Sequence, residues 1–461
     1  MKAFLLYKDR DFHPDARWSA NDSALHKDLD LGRLISAMAA GDDYVADVAQ
    51  LVLRAPLTAV EDIEYRQHVL MDVLENTAVV RDLYALASET IAAERKIYRS
   101  LFSHSPSSIL RQSIQSLEMM AAVLERLRSI CRNAQEGFHS PGFRRFLDMV
   151  LKEVDETYLA EINEHLRRLR FRNGMLIAAS LGRANKGTNY TLSNPGPDNR
   201  NWLQRLSGKG KESYTFRLND RDEAGFRALG ELEGQGLDLA ANVLTQSDDH
   251  IMNFIKMLRQ ELAFHVGCIN LEAALLSAGA PLCFPKPEAE SAMACSARDL
   301  RDVSLTVGQR GEVVGNNINA DGKSLIMITG ANEGGKSTFL RSLGTAQLMM
   351  QCGMFVCAQY FGADLVSGIY SHYKREEDAS LKSGKLDEEL VRMSAIADTA
   401  KAHAMVLFNE SFSSTNEREG TAIARDIIRA LVDSGMRVVF VTHFYELGED
   451  VDALHTSGPC S

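Results

Sequence analysis

The sequence predicts a multidomain protein in which an all-α region is followed by an α/β region built on a parallel sheet. Residues 40–180 are rich in Ala, Leu, Glu and Arg and poor in Gly and Pro, which is typical of a helical bundle. Beyond residue 300, short apolar strands alternate with helical stretches, a pattern that indicates a parallel sheet covered on both faces. We place the boundary so that the two regions are 1–265 and 266–461.

The helices of the first region are predicted from apolar residues that recur at spacings of three and four. One such run extends from Ile114 to Leu127, and a second, longer run extends from Leu147 to Leu169. A further long helix is expected within residues 221–276, and the prolines that follow it should end it. Residues 182–213 are rich in Gly, Asn, Pro and Lys and predict a loop.

Composition limits the classes of function. The chain has 461 residues and a formal net charge of −11, so binding to nucleic acid would depend on local basic clusters. Its seven cysteines include no C-x-x-C pair and predict free thiols in a reducing compartment. The N-terminal apolar run is too short for a signal peptide, and no apolar run is long enough for a membrane span. We therefore expect a soluble, cytoplasmic protein without a membrane partner.

A phosphate-binding loop is predicted by the segment GANEGGKS, which fits the pattern G-x-x-x-x-G-K-[ST]. A predicted strand, KSLIMITG, precedes the motif and a predicted helix follows it, as the motif requires. Its glycines allow backbone N–H groups to surround phosphates, its lysine neutralises phosphate charge, and its hydroxyl can ligate Mg²⁺. The predicted nucleotide-binding residues are Gly330, Ala331, Asn332, Glu333, Gly334, Gly335, Lys336, Ser337 and Thr338.

Metal and water chemistry is predicted at the end of the next apolar strand, AMVLFN. Glu410 is the candidate general base, whereas Asn409 stands where a carboxylate that serves Mg²⁺ is expected. An amide oxygen can accept a hydrogen bond from a magnesium-bound water but adds no charge, so Ser337 and Asn409 should hold the metal weakly. His443 ends a third strand, RVVFVTH, and is the candidate to reach the γ-phosphate.

Several segments resemble a known family. ITGANEGGKSTFLR, QCGMFVCAQ, FNESFSSTNEREG and VTHFYEL resemble the C-terminal ATPase of the MutS family of DNA mismatch repair and recombination proteins, an ATPase of the ABC class. LRAPLTAVEDIEYRQHVLMDVLEN resembles the helical core of that family, with matching positions at Leu53, Pro56, Leu57, Ile63 and Arg66. The resemblance implies a helical core and lever region followed by a P-loop ATPase domain that uses ATP and Mg²⁺.

The sequence also departs from the family pattern. Ala331 and Glu333 replace Pro and Met in the phosphate loop, and Asn409 replaces Asp. SGKLDEELVRM keeps part of the segment that acts across a dimer, in which Ser383 would contact the γ-phosphate of a partner subunit. The resemblance is to a short form without the N-terminal mismatch-reading domain. The chain ends soon after the third strand, as a C-terminally truncated domain would.

A basic loop at residues 183–217 is the candidate DNA contact. Mobile cations can contact phosphates, and an aromatic ring in the same loop can stack on a base. The loop lies where a family member's clamp would project from its long helices, and the alternative is a solubilising loop. The residues expected to contact DNA are Arg183, Lys186, Trp202, Arg205, Lys209 and Lys211.

The leading hypothesis is an ATP-dependent DNA-binding protein of the MutS type. We expect a homodimer that clamps mismatched or branched duplex DNA and changes its clamp state when ATP is bound and hydrolysed. Asn409 motivates an alternative, a nucleotide-binding scaffold with negligible turnover. A third hypothesis is a chromosome-maintenance ATPase of the ABC class outside this family, although the heptad runs are short for the coiled-coil arms of such proteins.

Overall fold

The computed structural model is rich in helices. It describes residues 1–12, 20–99, 106–169, 176–181, 187–193, 223–289, 293–308, 313–331, 334–375, 384–444 and 447. The helices are α1 (Ala20–Asp28), α2 (Leu31–Ala39), α3 (Asp43–Leu53), α4 (Val60–Glu75), α5 (Thr77–Arg99), α6 (Pro106–Ala134), α7 (Pro141–Glu153), α8 (Glu156–Leu169), α9 (Glu223–Ser277), α10 (Val303–Gly308), α11 (Lys336–Gln351), α12 (Lys385–Thr399) and α13 (Glu417–Asp433). The strands are β1 (Leu176–Leu181), β2 (Gly187–Ser193), β3 (Lys286–Glu288), β4 (Cys295–Leu300), β5 (Asn316–Asn319), β6 (Leu325–Ile328), β7 (Tyr360–Asp364), β8 (Ile369–Tyr373), β9 (Met405–Asn409) and β10 (Arg437–Val441).

The chain divides into two compact units that alternate along the sequence. The first unit comprises Met1, Ala85–Asn133 and Asp148–Lys256, and the second comprises Lys2–Tyr84, Ala134–Leu147 and Met257–Ser461. This division differs from a single cut after residue 265, because the N-terminal helices α1 to α4 belong to the second unit together with the strands of the α/β region. The domain limit predicted from the sequence stays a prediction.

The first unit is built mainly from helices, and the apolar face predicted for α6 is its buried face. The buried positions are Ile114, Leu117, Ala121, Leu124 and Leu127. The hydroxyl of Ser116 donates to the carboxylate of Asp248 on α9. The hydroxyl oxygen lies 2.7 and 2.8 Å from the two carboxylate oxygens. Both groups are buried, and this hydrogen bond satisfies polar atoms that would otherwise be costly to remove from water.

The expectation of one long helix between Leu147 and Leu169 is wrong. Helix α7 ends at Glu153, and α8 begins at Glu156. The Asp155 carboxylate accepts the backbone N–H of Tyr158 at 2.7 Å, which caps the new helix. The apolar spacing continues across the break, and the local cap decides where the second helix begins.

The expectation of an all-α first region is also wrong. Strands β1 and β2 form an antiparallel pair in which Leu176 lies opposite Ser193, with an irregularity in the register between Ala178 and Ser180. Strand β2 occupies part of the stretch that was predicted to be loop. Its sequence, GTNYTLS, contains two threonines and a tyrosine, which fit a pleated strand better than the surrounding Gly, Asn and Pro do.

A four-stranded parallel sheet lies in the second unit, with the strand order β6-β10-β9-β8. The predicted strands at 323–330, 404–409 and 437–443 are observed as β6, β9 and β10, with shorter ends. Every residue of β10 is buried, and the four that follow Arg437 form the continuous apolar run that is typical of a covered parallel sheet. The helix predicted at 421–432 is α13, which starts earlier because the Asn416 side chain accepts the N–H of Glu419 at 3.0 Å.

A second sheet of four strands was not predicted from the sequence. Its order is β3-β7-β4-β5, in which β3 and β7 are parallel and the other neighbours are antiparallel. The coarse prediction of a helix-rich chain with a parallel sheet in its C-terminal part is confirmed. Among the described residues, no helix combines the length and apolar character that a membrane crossing needs.

The N-terminal segment of the second unit is anchored by the buried side chains of Glu261 and Arg66. The N–H of Leu5 donates to the carboxylate of Glu261 at 2.5 Å. The guanidinium of Arg66 donates to the carbonyl oxygens of Leu6 at 3.0 Å and Cys352 at 3.1 Å. Burial raises the pKa of Glu261 to about 7, so its neutral form is favoured in the folded protein.

We predict that Glu261→Gln removes part of the pH dependence of stability. The folded-state pKa of Glu261 lies above its ordinary value of 4.5. Its contribution to the free energy of unfolding is therefore fully present below pH 4.5 and is lost as the pH rises through about 7. The pKa shift corresponds to about 3 kcal/mol in this free energy. Chemical unfolding of both proteins at pH 5 and pH 8 measures this: the wild type should lose more stability between the two pH values than the glutamine variant. Equal losses would contradict the prediction.

Candidate nucleotide site

The predicted site segments meet at one edge of the parallel sheet. Ile328 and Asn409 both pair with Val441, and Asn409 also pairs with Tyr373. Because these residues are the last of their parallel strands, the segments that follow all leave the sheet at its carboxyl edge. In open α/β sheets this edge is where ligands bind.

The glycine-rich loop joins β6 to α11 at this edge. Gly330 has φ 142° and Gly335 has φ 81°, which are backbone conformations that favour glycine. A Cβ atom at either position would meet no atom within 4 Å, so the space beside the loop is open. Helix α11 starts directly after Gly335, and its first N–H groups lie at the loop. The loop therefore offers N–H groups and a helix N-terminus to an anion.

Lys336 folds back over the loop that precedes it. Its ammonium group donates to the carbonyl oxygens of Gly330 at 3.0 Å and Ala331 at 2.7 Å. The residue is largely buried, which places a positive charge at the mouth of the loop. Ser337 is exposed and Thr338 is half-buried in the first turn of the same helix.

Ser337, in the first turn of α11, is in direct contact with Asn409, the last residue of β9. The Ser337 hydroxyl donates to the side-chain oxygen of Asn409 at 2.8 Å. Both are oxygen ligands, which Mg²⁺ prefers, and neither carries a charge. The pair fits a magnesium ion that is bound mainly by phosphates and water. Among the described residues, no cluster of three or more His, Cys, Asp or Glu side chains could hold a metal.

Glu410 and His443 form a pair that the sequence did not reveal. Nε2 of His443 lies 2.6 Å from Oε1 of Glu410, and about a third of each side chain is exposed. Glu410 adopts φ 54°, in the left-handed region, and its backbone N–H donates to the carbonyl oxygen of Val441 at 2.9 Å. The left-handed turn redirects the chain at the end of β9, and the carboxylate contacts the histidine that follows β10.

Some predicted site residues lie outside the described part of the chain. These are Asn332 and Glu333 of the phosphate loop, Ser383, and the DNA-contact candidates Arg183, Lys186, Trp202, Arg205, Lys209 and Lys211. Their roles stay predictions. Conversely, the sequence did not single out His372 and Ser411, which lie directly beside the turn at Glu410. Ser411 could have been noted as the neighbour of Glu410, whereas His372 is brought there only by the pairing of β8 with β9.

Comparisons with known proteins show the family of this helix-rich chain, which contains a parallel sheet and a glycine-rich loop. Residues 58–278 match the model of the MutS2 N-terminal domain, and residues 326–457 match the model of MutS domain V. Together the two matches cover most of the chain. The protein belongs to the MutS family. The MutS domain V that matches its C-terminal part is a family of ATPase domains.

Individual relatives agree with this assignment. A DNA mismatch repair protein MutS from Shouchella clausii is 26% identical over 263 residues, which are 56% of this chain and 30% of that protein. Another from Desulforamulus reducens is 32% identical over 211 residues, which are 43% of this chain and 24% of that protein. MutS protein homolog 4 of Mus musculus is 24% identical over 259 residues, which are 54% of this chain and 25% of that protein. The aligned segments thus span less than a third of each relative.

We predict that Lys336→Ala abolishes retention of ATP, because the loop loses its positive charge at the phosphates. Binding of a fluorescent ATP analogue, measured by anisotropy, checks this. The matched control is Lys323→Ala, which removes an exposed lysine before β6 and should leave the affinity unchanged. Retention of ATP by the Lys336 variant with wild-type affinity would refute the assignment of the loop.

Proposed function

We propose that this protein is an ATPase of the MutS type that couples ATP binding and hydrolysis to DNA binding. One observation carries the proposal: the phosphate-loop lysine, the Ser337–Asn409 pair and the Glu410–His443 pair all lie at the carboxyl edge of one parallel sheet. The membership in a family of ATPases supports the same conclusion.

Binding of ATP would use the segment from Gly330 to Thr338. The backbone N–H groups of the loop and of the first turn of α11 would donate to phosphate oxygens. Lys336 would exchange its two carbonyl partners for the β- and γ-phosphates. Ser337 would ligate Mg²⁺, and the amide oxygen of Asn409 would accept from a water of its hydration shell. When bound, the metal would neutralise part of the negative charge of the phosphates.

Hydrolysis would use Glu410 as the general base. One carboxylate oxygen, Oε1, is hydrogen-bonded to His443, and the other, which has no hydrogen-bond partner among the described residues, would orient a water and accept its proton. His443 would hold the carboxylate in place and, from the same position, contact the γ-phosphate. Such a site needs little covalent chemistry from the protein, because phosphoryl transfer depends mainly on positioning and electrostatics.

The target of binding is proposed from the relatives, two of which are named as DNA mismatch repair proteins. Mismatched or branched duplex DNA is the proposed partner, and the basic segment 183–217 is the proposed contact. We also propose a homodimer in which Ser383 of one subunit completes the nucleotide site of the other. The switch would be a change of clamp state on ATP binding, which hydrolysis resets.

A second function, a nucleotide-binding scaffold without turnover, is favoured by one observation. Asn409 is uncharged, and its side-chain oxygen accepts the Ser337 hydroxyl. A site with weak metal affinity could retain nucleotide and hydrolyse it negligibly. The two functions differ in whether Glu410 matters for turnover.

We predict that Glu410→Gln lowers ATP turnover by about 10²-fold or more while ATP is still bound, because a positioned general base is lost. Turnover should be measured without DNA and with homoduplex, mismatched, branched and single-stranded DNA. Asp426→Asn, which neutralises an exposed carboxylate of α13, is the control and should behave as wild type. A Glu410 variant as fast as wild type on every DNA would favour the scaffold.

We also predict that Asn409→Asp lowers the Mg²⁺ concentration for half-maximal turnover by about tenfold, because it adds a negative charge beside the metal. A magnesium titration at fixed ATP measures this. Asn416→Asp makes the same change at the exposed N-cap of α13, where a carboxylate can still accept from the helix, and should not shift the titration. An unchanged titration for the residue 409 variant would show that this side chain does not serve the metal.

A further inference from the structure

A buried hydrogen-bond network lies directly behind Glu410. Nδ1 of His372, on β8, lies 2.8 Å from the hydroxyl oxygen of Ser411. The same hydroxyl lies 2.5 Å from the backbone carbonyl oxygen of His372. On its other side, Nε2 of His372 lies 2.9 Å from the backbone carbonyl oxygen of Glu389 on α12. Both His372 and Ser411 are buried, so water does not compete for these bonds.

The hydrogen-bond partners fix the form of the imidazole ring. A carbonyl oxygen can only accept, so Nε2 of His372 must carry hydrogen and donate to Glu389. Burial lowers the pKa of His372 to about 4, so the ring is neutral at neutral pH. Nδ1 is therefore an acceptor, and the Ser411 hydroxyl donates toward both Nδ1 and the carbonyl oxygen. The ring thus joins α12 to the residue that follows Glu410.

Aromatic packing holds the imidazole in this orientation. Its ring is stacked on Phe412 with the centroids 5.2 Å apart and an interplanar angle of 20°. A second contact is made with Phe408, at 5.7 Å between centroids. Both phenylalanines are fully buried, and both belong to the segment that carries Glu410. The ring can therefore tilt little without displacing that segment.

The backbone around Glu410 needs such support. Glu410 has φ 54° and Phe412 has φ 61°, so the residues on both sides of Ser411 adopt left-handed conformations. For residues other than glycine, such a conformation is strained and persists only where surrounding contacts hold it. The Ser413 hydroxyl donates to the carbonyl oxygen of Glu410 at 2.7 Å, and Ser411 supplies the link to His372.

Helix α12 holds the same turn at a second point. The carboxylate of Glu389 accepts the hydroxyl of Ser414 at 3.2 Å and also a backbone hydrogen bond from Phe412. Glu389 therefore binds the turn through its side chain, and binds His372 through its carbonyl oxygen. A displacement of α12 would be passed to the turn by both routes.

We propose that His372 is a positioning residue that fixes the turn carrying Glu410 through Ser411 and ties this turn to helix α12. The inference rests on the proposed function, because it concerns the base of that reaction. His372 itself does not reach the reacting atoms. Its effect is to keep the Glu410 carboxylate where it meets His443 and the attacking water. Helix α12 begins two residues after Ser383, so a contact made there by a partner subunit would bias the same turn.

The test uses Ser411→Ala, which removes one oxygen atom, and His372→Phe, which keeps a stacked ring but removes both nitrogens. Ser304→Ala is the matched control, because the Ser304 hydroxyl is also buried and donates to a carbonyl oxygen, that of Asp30, at 2.9 Å. For each full-length variant, kcat for ATP and the Kd for an ATP analogue are measured, together with the thermal unfolding midpoint. Glu410→Gln is measured alongside them.

We expect kcat to fall about 10- to 100-fold in both variants, as for other losses of catalytic positioning, with Kd within twofold of wild type. The double variant should lose less kcat than the product of the two single losses, because both changes remove the hydrogen bond between Nδ1 of His372 and Ser411. The control should keep the wild-type kcat. If His372 and Ser411 had a purely structural role, their loss would not be expected to lower kcat while leaving Kd unchanged.

Two outcomes would overturn the inference. If His372→Phe or Ser411→Ala turned over ATP as fast as Ser304→Ala while Glu410→Gln was inactive, the positioning role would fail and the proposed function would stand. If Glu410→Gln turned over at the wild-type rate, the proposed function would fail and the positioning role with it. Should His372→Phe not fold, His372→Gln takes its place, because Ser411 also bonds to the backbone carbonyl oxygen of His372 and Ser411→Ala does not isolate the imidazole.

Discussion

The parallel register of β6, β10, β9 and β8 is the constraint on which the candidate site depends. It aligns the last residues of strands that are far apart in sequence, so that Val441 lies between Ile328 and Asn409, and Tyr373 lies on the other side of Asn409. Three of these strands each deliver a different group to the same edge: a glycine-rich loop follows β6, a carboxylate follows β9 and a histidine follows β10. A shift of one strand by one residue would exchange the side chains that face the two sides of the sheet and would displace the residues that follow the strand.

The groups at this edge are arranged in pairs rather than as single residues. Ser337 bonds to Asn409, and Glu410 bonds to His443. The first pair supplies two neutral oxygens, so in the proposed function most of the attraction for a metal would come from the phosphates of a nucleotide. The second pair orients a carboxylate that is partly exposed to water. Affinity for Mg²⁺ and positioning of the base would then be separate properties of this site, carried by different side chains.

The turn after β9 connects the edge to the rest of the second unit. Glu410 and Phe412 adopt backbone conformations that are unfavourable for their residue types, and the surrounding contacts come from β8, β10 and α12. The N-terminal segment is bound to the same unit through Glu261 and Arg66. The unit thus combines residues from both ends of the chain, which a division by sequence position does not reproduce.

The sequence by itself determined the glycine-rich loop with its strand and helix, and the positions of Asn409, Glu410 and His443 at or just after the ends of apolar strands, because these features depend on local spacing and backbone requirements. It also predicted the buried face of α6. Only the tertiary structure decided that Glu410 meets His443 and that His372 meets Ser411, because strand order and register bring together residues 33 and 39 positions apart. Local caps, such as Asp155 before α8, decided helix ends that the apolar periodicity could not predict. The second sheet and the place of the N-terminal helices likewise follow from long-range packing, which leaves no periodic signal in the sequence.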